Sequence, residues 1–171
     1  MRACTSEPPP AGGLRFVEEP MITRRSKYAI RAMLVLVRRS QKGALSTEAI
    51  AQSEGLPRKF LEAIMLDLKE AGLVQAIRGK GGGYTLSRAP GKITVGQIIR
   101  AAQGSVAPTP CVSATAYAAC DDCPDERACA VRPLMRQVRE AISKVIDLKS
   151  IDALARETAD LAPAAADGFD I

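Results

Sequence analysis

The residues of this chain best suited to chemistry are four cysteines within one short segment. They follow the pattern Cys111-x8-Cys120-x2-Cys123-x5-Cys129, in a stretch rich in alanine, proline and aspartate. Thiolates bind zinc and iron-sulfur clusters, and they also undergo reversible oxidation. The spacing leaves four interpretations open: an iron-sulfur cluster, which we favour, a thiol redox switch, a zinc site, or a loop without a ligand. The chain contains no histidine, so no imidazole can complete a metal site.

The compartment bears on how these cysteines are interpreted. No apolar run approaches the roughly 20 residues that a membrane-spanning helix needs, and residues 1 to 20 lack the apolar core of a signal peptide. We therefore expect a cytoplasmic protein, in which reduced thiols are more common than structural disulfides. The fifth cysteine, Cys4, is interpreted as a free thiol without a role.

A second candidate site is the glycine-rich segment of residues 73 to 86. Arg78 and Lys80 stand among four glycines at positions 79, 81, 82 and 83, between two short apolar runs. This pattern predicts a β-hairpin whose tip has little side-chain bulk and can approach a polyanion closely. An ordinary glycine-rich hairpin and a phosphate-binding loop are the alternatives, and the two preceding helices favour a DNA-binding wing.

Two helices are predicted ahead of the hairpin, over residues 46 to 54 and 57 to 71. Gly55 and Leu56 allow only a tight corner between them, which is typical of a helix-turn-helix motif. Ser46 or Thr47 can cap the first helix, and Pro57 is placed in the first turn of the second. The second helix is expected to bury an apolar face made of Phe60, Leu61, Ile64, Met65 and Leu68.

In a helix-turn-helix protein the start of the second helix meets base edges in the major groove. Arg58 and Lys59 occupy that start, and a solvated cationic helix end is the alternative interpretation. The full set of candidate DNA contacts is Arg24, Lys27, Arg58, Lys59, Arg78, Lys80, Gly81, Gly82 and Tyr84.

The charge distribution favours double-stranded DNA as the partner. Residues 21 to 92 carry 14 Lys and Arg against 5 Asp and Glu, a net charge of +9, whereas residues 93 to 171 have a net charge of −3. Nucleic acid suits a basic module of this size. A basic membrane-surface helix over residues 23 to 40 is the alternative, but its apolar centre is more simply the first core helix, so we expect no membrane partner.

The sequence predicts a mainly α protein with four regions. Residues 1 to 20 are expected to be a disordered extension, and residues 21 to 92 a winged helix-turn-helix domain with a small β-hairpin. Residues 93 to 155 are expected to hold the cysteine loop between a short helix at 93 to 102 and a long helix from Pro133, followed by a short helix from Ile151. The tail, 156 to 171, is expected to be frayed.

The long helix is predicted to mediate dimerisation. Its apolar positions recur at helical spacing, at Leu134, Val138, Ala141, Ile142, Val145, Ile146 and Leu148. A homodimer would bury two such stripes and place two wings on a two-fold DNA site. Packing within one chain is the alternative.

An enzyme is not expected. The chain has no histidine to act as a general base, and no dinucleotide-binding or Walker loop follows a strand. The Cys120-x2-Cys123 pair allows a thiol oxidoreductase, but the βαβ setting of that motif is absent. An adaptor acting only through protein contacts would leave the basic wing unexplained.

Several motifs resemble the IscR/NsrR/CymR family of bacterial winged-helix regulators, also called the Rrf-two type. They are Lys27-Tyr28-Ala29-Ile30-Arg31-Ala32, Phe60-Leu61-Glu62-x-Ile64, Leu68-x2-Ala71-Gly72-Leu73-Val74, Arg78-Gly79-x-Gly81-Gly82-Gly83-Tyr84-x-Leu86 and Cys123-x5-Cys129-x2-Arg132. The resemblance spans residues 21 to about 155. It implies a homodimeric transcription factor on palindromic promoter DNA, often a repressor, with a sensory cofactor in the cysteine loop.

The resemblance also implies ligands for a 2Fe-2S or 4Fe-4S cluster. Cys123 and Cys129 match the Cys-x5-Cys half of the pattern, Cys111 matches the first ligand, and Cys120 is an extra candidate. Two fourth ligands known in the family are replaced here, a histidine by Arg132 and a carboxylate by Lys27. The remaining candidates for that position are Cys120, Asp121, Asp122, Asp125 and Glu126. A cluster-free regulator of the same family, responding to a metabolite or partner protein, is the alternative function.

Overall fold

The computed structural model describes residues 21–40, 43–79, 81–121, 123 and 125–159. The expected N-terminal extension, Lys80, Asp122 and residues 160 to 171 of the expected tail lie outside these residues. The described part is mainly helical with one antiparallel hairpin. The predicted fold class is confirmed.

Three helices form the first half of the fold. Helix α1 spans Arg24–Arg38, α2 spans Thr47–Glu54 and α3 spans Arg58–Glu70. Each helix has contacts with the other two. Fully buried Met33, Ile50 and Ile64 show that their apolar faces meet in one hydrophobic core.

Local capping explains where these helices begin and end. Ser46 accepts a hydrogen bond from the backbone N–H of Ala49 at the start of α2, as expected. Gly55 ends α2 with a left-handed backbone conformation, φ +60°. Pro57 is the N-cap of α3 rather than a residue of its first turn. Its backbone is extended, with ψ 115°, and the helix begins at the next residue, Arg58. The corner between α2 and α3 is as tight as the sequence predicts.

The wing is a hairpin of β1, Val74–Ile77, and β2, Gly83–Leu86. The two strands are antiparallel, with Val74 opposite Leu86 and Ile77 opposite Gly83. Leu45 adds a further bridge to Tyr84, through backbone hydrogen bonds of 3.0 and 2.8 Å. This bridge attaches the wing to the segment that leads into α2.

The second half of the chain adds α4, Val95–Gln103, α5, Val131–Leu148, and α6, Ile151–Glu157. Short 3-10 turns occur at Pro90–Lys92 and Pro110–Val112. The start of α4 lies two residues later than expected, because Thr94 and Gln97 form a reciprocal capping box there. The start of α5 lies two residues earlier than expected and places Pro133 third in the helix.

The hydrophobic core crosses the expected boundary between residues 92 and 93. Both α4 and α6 pack against α1, and Ile93, Ile98 and Ile151 are fully buried in the same core as α1 and α3. Ser150 caps α6, and the N–H of Ile151 donates to the carbonyl of Ile93 at 2.8 Å. The division of the chain into functional regions stays a prediction.

Two expectations about buried faces need correction. Phe60 was assigned to the buried face of α3, but it is 40% exposed, because it lies at the rim where α3 meets α1. The apolar stripe of α5 divides into two faces. Ile142 and Ile146 pack against the cluster that contains Val95 and Ile99, and the rest of the stripe faces elsewhere.

Candidate functional site

The start of α3 presents two cations on an exposed surface. The Arg58 side chain is 61% exposed and makes ion pairs with Glu48 on α2, at 3.0 Å, and with Glu62 one turn along α3, at 2.9 Å. The hydrogen bond and charge of Glu62, together with the charge of Glu48, raise the pKa of Arg58 above its ordinary value. Lys59 is exposed and has no ion pair within the described ranges. Lys59 is therefore unengaged, whereas Arg58 is partly neutralised by the protein itself.

Helix α1 contributes further cations near the same helix. Arg24 and Lys27 are exposed, and Arg25 between them pairs with Asp67 of α3, with its Nε 3.1 Å from the carboxylate. The Arg25 guanidinium also lies 6.0 Å from the centre of the Phe60 ring. Arg25 thus joins α1 to α3, and the two candidate contacts flanking it stay exposed to solvent.

An aromatic pair completes the junction of α1 and α3. The rings of Tyr28 and Phe60 meet edge to face, with centroids 5.7 Å apart and an interplanar angle of 89°. This contact fixes the position of the first turn of α3 relative to α1. It also explains why an exposed phenylalanine belongs at this point of the helix.

Two glycines of the wing allow close contacts between backbone segments, and others allow the turn at its tip. A Cβ on Gly83 would lie 2.3 Å from the carbonyl atoms of Leu45, and a Cβ on Gly82 would lie 2.4 Å from the carbonyl oxygen of Ile77. Gly79 and Gly81 have positive φ, of +105° and +84°, whereas Gly82 does not. Gly82 is therefore required for close packing against the backbone of Ile77 rather than for a positive φ.

The wing side chains differ in exposure. Arg78 is exposed, and Gly81 is exposed beside it, whereas Lys80 lies outside the described residues. Tyr84 is half-buried and packs against the hydrophobic core. The structure therefore places Arg78 where a polyanion can reach it and gives Tyr84 a packing role.

The four clustered cysteines line a single cavity of about 250 Å³. Cys111 is buried on the 3-10 turn Pro110–Val112, and the other three are half-buried. The remaining lining residues are Thr109, Val131, Arg132 and Met135. Cysteines up to 18 positions apart in the chain are thus brought together, as binding of one metal or cluster by all of them would require. Among the described residues, no three Cys, Asp or Glu side chains are already arranged as a metal site.

The first residues of α5 lower the pKa of the Cys129 thiol. The backbone N–H groups of Arg132 and then Val131 hydrogen-bond to its sulfur and lower the pKa of the Cys129 thiol. Desolvation raises the pKa of the Cys123 thiol, and its hydrogen bond to Cys129 adds to that rise. The geometry therefore stabilises a thiolate on Cys129, the form that binds metals.

Two of the carboxylates considered as a fourth ligand are engaged elsewhere. Glu126 accepts a hydrogen bond from the Tyr117 hydroxyl at 2.6 Å and pairs with Arg132 at 3.1 Å. This contact with Glu126 raises the pKa of Tyr117. Asp125 accepts the N–H of Arg127 at 2.8 Å. Cys120, by contrast, lines the cysteine cavity.

One residue that the sequence did not single out, Gln103, connects the two halves of the molecule. Its Oε1 accepts hydrogen bonds from the fully buried Ser26 hydroxyl, at 2.6 Å, and from Thr23, the N-cap of α1. Its Nε2 donates to the carbonyls of Met21 and Ser105. A glutamine at the end of an amphipathic helix gives no sequence signal for such a role.

These hydrogen bonds extend from Gln103 to the cysteine loop, and the loop is in turn bonded to α5. The hydroxyls of Ser105 and Ser113 lie 2.8 Å apart, and Arg139 of α5 donates to the carbonyl of Val112 at 2.9 Å. Arg100 of α4 pairs with Asp147 of α5 through two contacts of 2.6 and 2.8 Å. A polar path therefore links the start of α1, the loop and α5.

The described residues leave an apolar series on α5 largely uncovered. Its positions are spaced alternately by three and four residues, at Val131, Leu134, Val138, Ala141, Val145 and Leu148. Val145 is 68% exposed and Leu148 is 78% exposed, and only Val138 of the series is half-buried. Alternating spacing of this kind is typical of the seam between two packed helices.

Comparison with known proteins identifies the family that this chain matches. Residues 22–157 match the family model Rrf2, described as an iron-dependent transcriptional regulator. An Rrf2-like HTH-type transcriptional regulator of Rhodobacter capsulatus is 43% identical over 135 residues, which cover 77% of this chain and 90% of that protein.

Solved structures of similar proteins share the fold. CymR, the global cysteine regulator of B. subtilis, has a TM-score of 0.65 at 33% identity, covering 80% of this chain and 97% of CymR. IscR of T. potens has a TM-score of 0.66 at 26% identity, covering 84% of this chain and 91% of IscR. Within the described part of the chain, no helix is both long and apolar enough to span a bilayer.

Proposed function

The chain belongs to the Rrf2 family of transcriptional regulators, and from that membership we propose that it is a dimeric repressor whose DNA affinity is set by an iron-sulfur cluster in the cysteine cavity. The family makes the protein a DNA-binding regulator and not an enzyme. The observation that carries the sensory part of the proposal is that four cysteines, spread over 19 residues, line one cavity.

DNA contact is assigned to α3, the wing and the start of α1. The N-terminal residues Arg58 and Lys59 of α3 are proposed to read base edges, as the second helix of this motif does. Arg78 and Lys80 of the wing, with Gly81 and Gly82 admitting the backbone, are proposed to contact phosphates. Arg24 and Lys27 are proposed to add phosphate contacts, since both are exposed near α3. Tyr84 packs against the hydrophobic core and so holds the wing in position.

The donor set of the cavity fits an iron-sulfur cluster. We assign Cys111, Cys123 and Cys129 as ligands, with Cys120 as the fourth. Cys129 supports this assignment because two backbone N–H groups stabilise its thiolate. When bound, a cluster supplies a reversible one-electron redox centre and a group that oxygen can destroy. A protein of this kind would act in the cytoplasm, on promoter DNA.

The state of the cavity is proposed to reach DNA through α5. Its first turn holds Cys129, its middle binds the loop through Arg139, and Asp147 near its end holds Arg100 of α4. A change in the loop therefore acts on the helix that carries the exposed apolar series. In a dimer formed through that series, a shift of α5 changes the distance between the two copies of α3. Half-sites about 34 to 36 Å apart tolerate little error in that distance.

The thiol state of the same cysteines is a second candidate signal. Cys123 hydrogen-bonds to Cys129, so the two sulfurs are neighbours in the absence of a cluster. Oxidation of the pair would then move the start of α5 without any metal. The cluster is preferred because four cysteines, rather than two, line the cavity.

The test is purification of the full chain without oxygen, followed by iron and sulfide analysis, a visible spectrum and a mobility-shift titration on promoter DNA. We expect iron and sulfide, a visible absorption band, and DNA affinity that changes when air removes them. Replacing Cys129 with Ser should abolish the band. Colourless, iron-free protein with unchanged DNA binding would refute the cluster and leave the thiol candidate, which alkylation of the cysteines would then test.

A further inference from the structure

Arg132 lies at the cysteine cavity with part of its guanidinium unused. It lines the cavity together with the four cysteines. One terminal nitrogen, Nη2, is held 3.1 Å from Glu126, whose other oxygen accepts the Tyr117 hydroxyl. The Nε atom is buried and has no hydrogen-bond partner among the described residues. The side chain is therefore anchored at its end, while an inner N–H group lacks an acceptor.

A buried N–H without an acceptor is unfavourable and calls for an explanation. The desolvated group loses its bonds to water and gains none from the described part of the protein. Native proteins leave few such groups. The acceptor that is missing would have to enter the cavity, whose walls supply thiols, apolar groups and the Thr109 hydroxyl, which lies 3.5 Å from the Cys111 sulfur.

Arginine cannot itself bind iron, because its guanidinium stays protonated and offers no lone pair. Its contribution to a metal centre has to come from donated hydrogen bonds and positive charge. The sulfurs of an iron-sulfur cluster and of its cysteine ligands are electron-rich acceptors, and hydrogen bonds to them are a recognised means of tuning such centres.

We propose that Arg132 is a positioning residue for the cluster, with its Nε–H donating a hydrogen bond to a cluster or ligand sulfur. The inference rests on the proposed cluster function and deepens it. The pair with Glu126 holds the guanidinium in place before the cluster is inserted, so the donor is oriented in advance. The bond would satisfy the buried Nε–H, which has no acceptor among the described residues.

Two measurable properties follow from this role. Positive charge and a donated hydrogen bond stabilise the more negative, reduced state of the centre, so Arg132 raises its reduction potential. The same bond slows loss of the cluster to a chelator. Removing a partner of this kind typically weakens metal retention by about 10- to 100-fold.

The test uses the full chain, reconstituted with iron and sulfide without oxygen. Arg132→Lys keeps the positive charge but replaces Nε–H with a methylene group, so it removes the donated hydrogen bond without removing the charge. Arg132→Met removes both charge and donor. Arg136→Met is the matched control, since Arg136 lies one turn along α5, is exposed and does not line the cysteine cavity.

We expect Arg132→Lys to bind iron and sulfide in the wild-type ratio but to have a more negative reduction potential and roughly tenfold faster loss to a chelator. Arg132→Met should change both properties further in the same directions, and Arg136→Met neither. The thermal unfolding midpoint of each cluster-free variant reports on folding; if Arg132→Met does not fold, Arg132→Lys carries the test.

The outcomes separate this inference from the function on which it rests. Wild-type potential and retention in a folded Arg132→Lys variant would refute the role of Nε while leaving the cluster intact. If wild-type protein itself takes up neither iron nor sulfide, the cluster proposal fails, and the role of Arg132 fails with it.

Discussion

Arg58 shows how one side chain can serve two partners in turn. In the DNA-free chain its charge is shared with Glu48 and Glu62, which hold it across the corner between α2 and α3. All three side chains are exposed, so each pair is weak and can be exchanged for other partners. A phosphate or a guanine edge would compete with the two carboxylates for the same guanidinium. If Arg58 contacts DNA as proposed, the pairs orient its guanidinium and also reduce its affinity for DNA.

The first prediction concerns this competition. Glu48→Gln with Glu62→Gln should strengthen binding to operator DNA roughly two- to fivefold, because Arg58 no longer has to leave a carboxylate. Removal of two negative charges beside the DNA acts in the same direction. The measurement is a fluorescence-anisotropy titration of labelled promoter DNA at several salt concentrations.

A matched control separates the effect of freeing Arg58 from the effect of removing two negative charges from the protein. Glu70→Gln with Glu157→Gln removes the same charge at exposed positions that are not paired with Arg58, and it should change affinity less. Weaker binding in the Glu48 and Glu62 variant would mean instead that the pairs are required to orient Arg58.

Residue types at the sites could be predicted from the sequence, whereas their partners could not. The cysteine pattern and the cations of α3 are visible as spacing and composition. The pairing of Arg58 with a residue ten positions earlier, and of Gln103 with Ser26, depends on how helices pack. The same limit applies to Glu126, which looks like a free ligand in the sequence but is bound to Tyr117 and Arg132.

At the scale of elements, the wing depends on close contact between β2 and the segment before α2. Gly83 has φ +155°, and a Cβ there would lie 2.3 Å from Leu45 and 2.6 Å from the backbone nitrogen of Ser46. Backbone atoms cannot move aside as a flexible side chain can. The bridge between Leu45 and Tyr84 would have to open to admit a methyl group.

The second prediction is that Gly83→Ala lowers the free energy of unfolding by about 1–3 kcal/mol, as other overpacking substitutions do. It should also weaken DNA binding, because the wing would shift away from α2. Chemical denaturation followed by circular dichroism measures the first effect. Gly91→Ala is the control, since a Cβ at Gly91 meets nothing within 4 Å and its φ is not positive. Equal stability of the two variants would contradict the proposed contact.

Elements with strong local signals were predicted closely, and the others less so. The sequence places Ser46 at the start of α2 and glycines at the hairpin turn because capping and turn chemistry are local. The stripe on α5 shows the limit of periodicity. A helical repeat identifies apolar residues, but Ile142 and Ile146 face α4 while Val145 and Leu148 stay exposed. Which side meets the chain's own core depends on tertiary packing.

For the whole molecule, the decisive feature is that the half of the chain with the cysteine loop and the helices proposed to contact DNA share one core and one polar path. Gln103 joins the start of α1 to the residue at which the cysteine loop begins, and α4 and α6 both pack on α1. A rearrangement in the cavity can therefore act on the DNA-binding helices through packed elements, and a small shift in stability between two arrangements is enough to change occupancy.

In the proposed dimer, the exposed apolar series of α5 would form the seam through which this coupling passes between two copies. Burying the two halves of the seam against each other would remove from water side chains as exposed as Val145 and Leu148. The third prediction is that Leu134→Glu with Val145→Glu yields a monomer, because four carboxylates would otherwise meet in an apolar interface without partners. Sedimentation velocity at micromolar concentration measures this directly.

The same variant distinguishes loss of dimerisation from loss of fold. Both positions are already exposed, so the thermal unfolding of the variant monomer should keep its cooperativity and helical signal. Affinity for a palindromic site should fall to that for a single half-site, because the link between two copies of α3 is lost. Lys144→Gln with Gln137→Glu lowers the charge by the same two units per chain on exposed positions outside the seam and should stay dimeric. A seam variant that still sediments as a dimer would place the interface elsewhere and would require another route from the cysteine cavity to the spacing of the recognition helices.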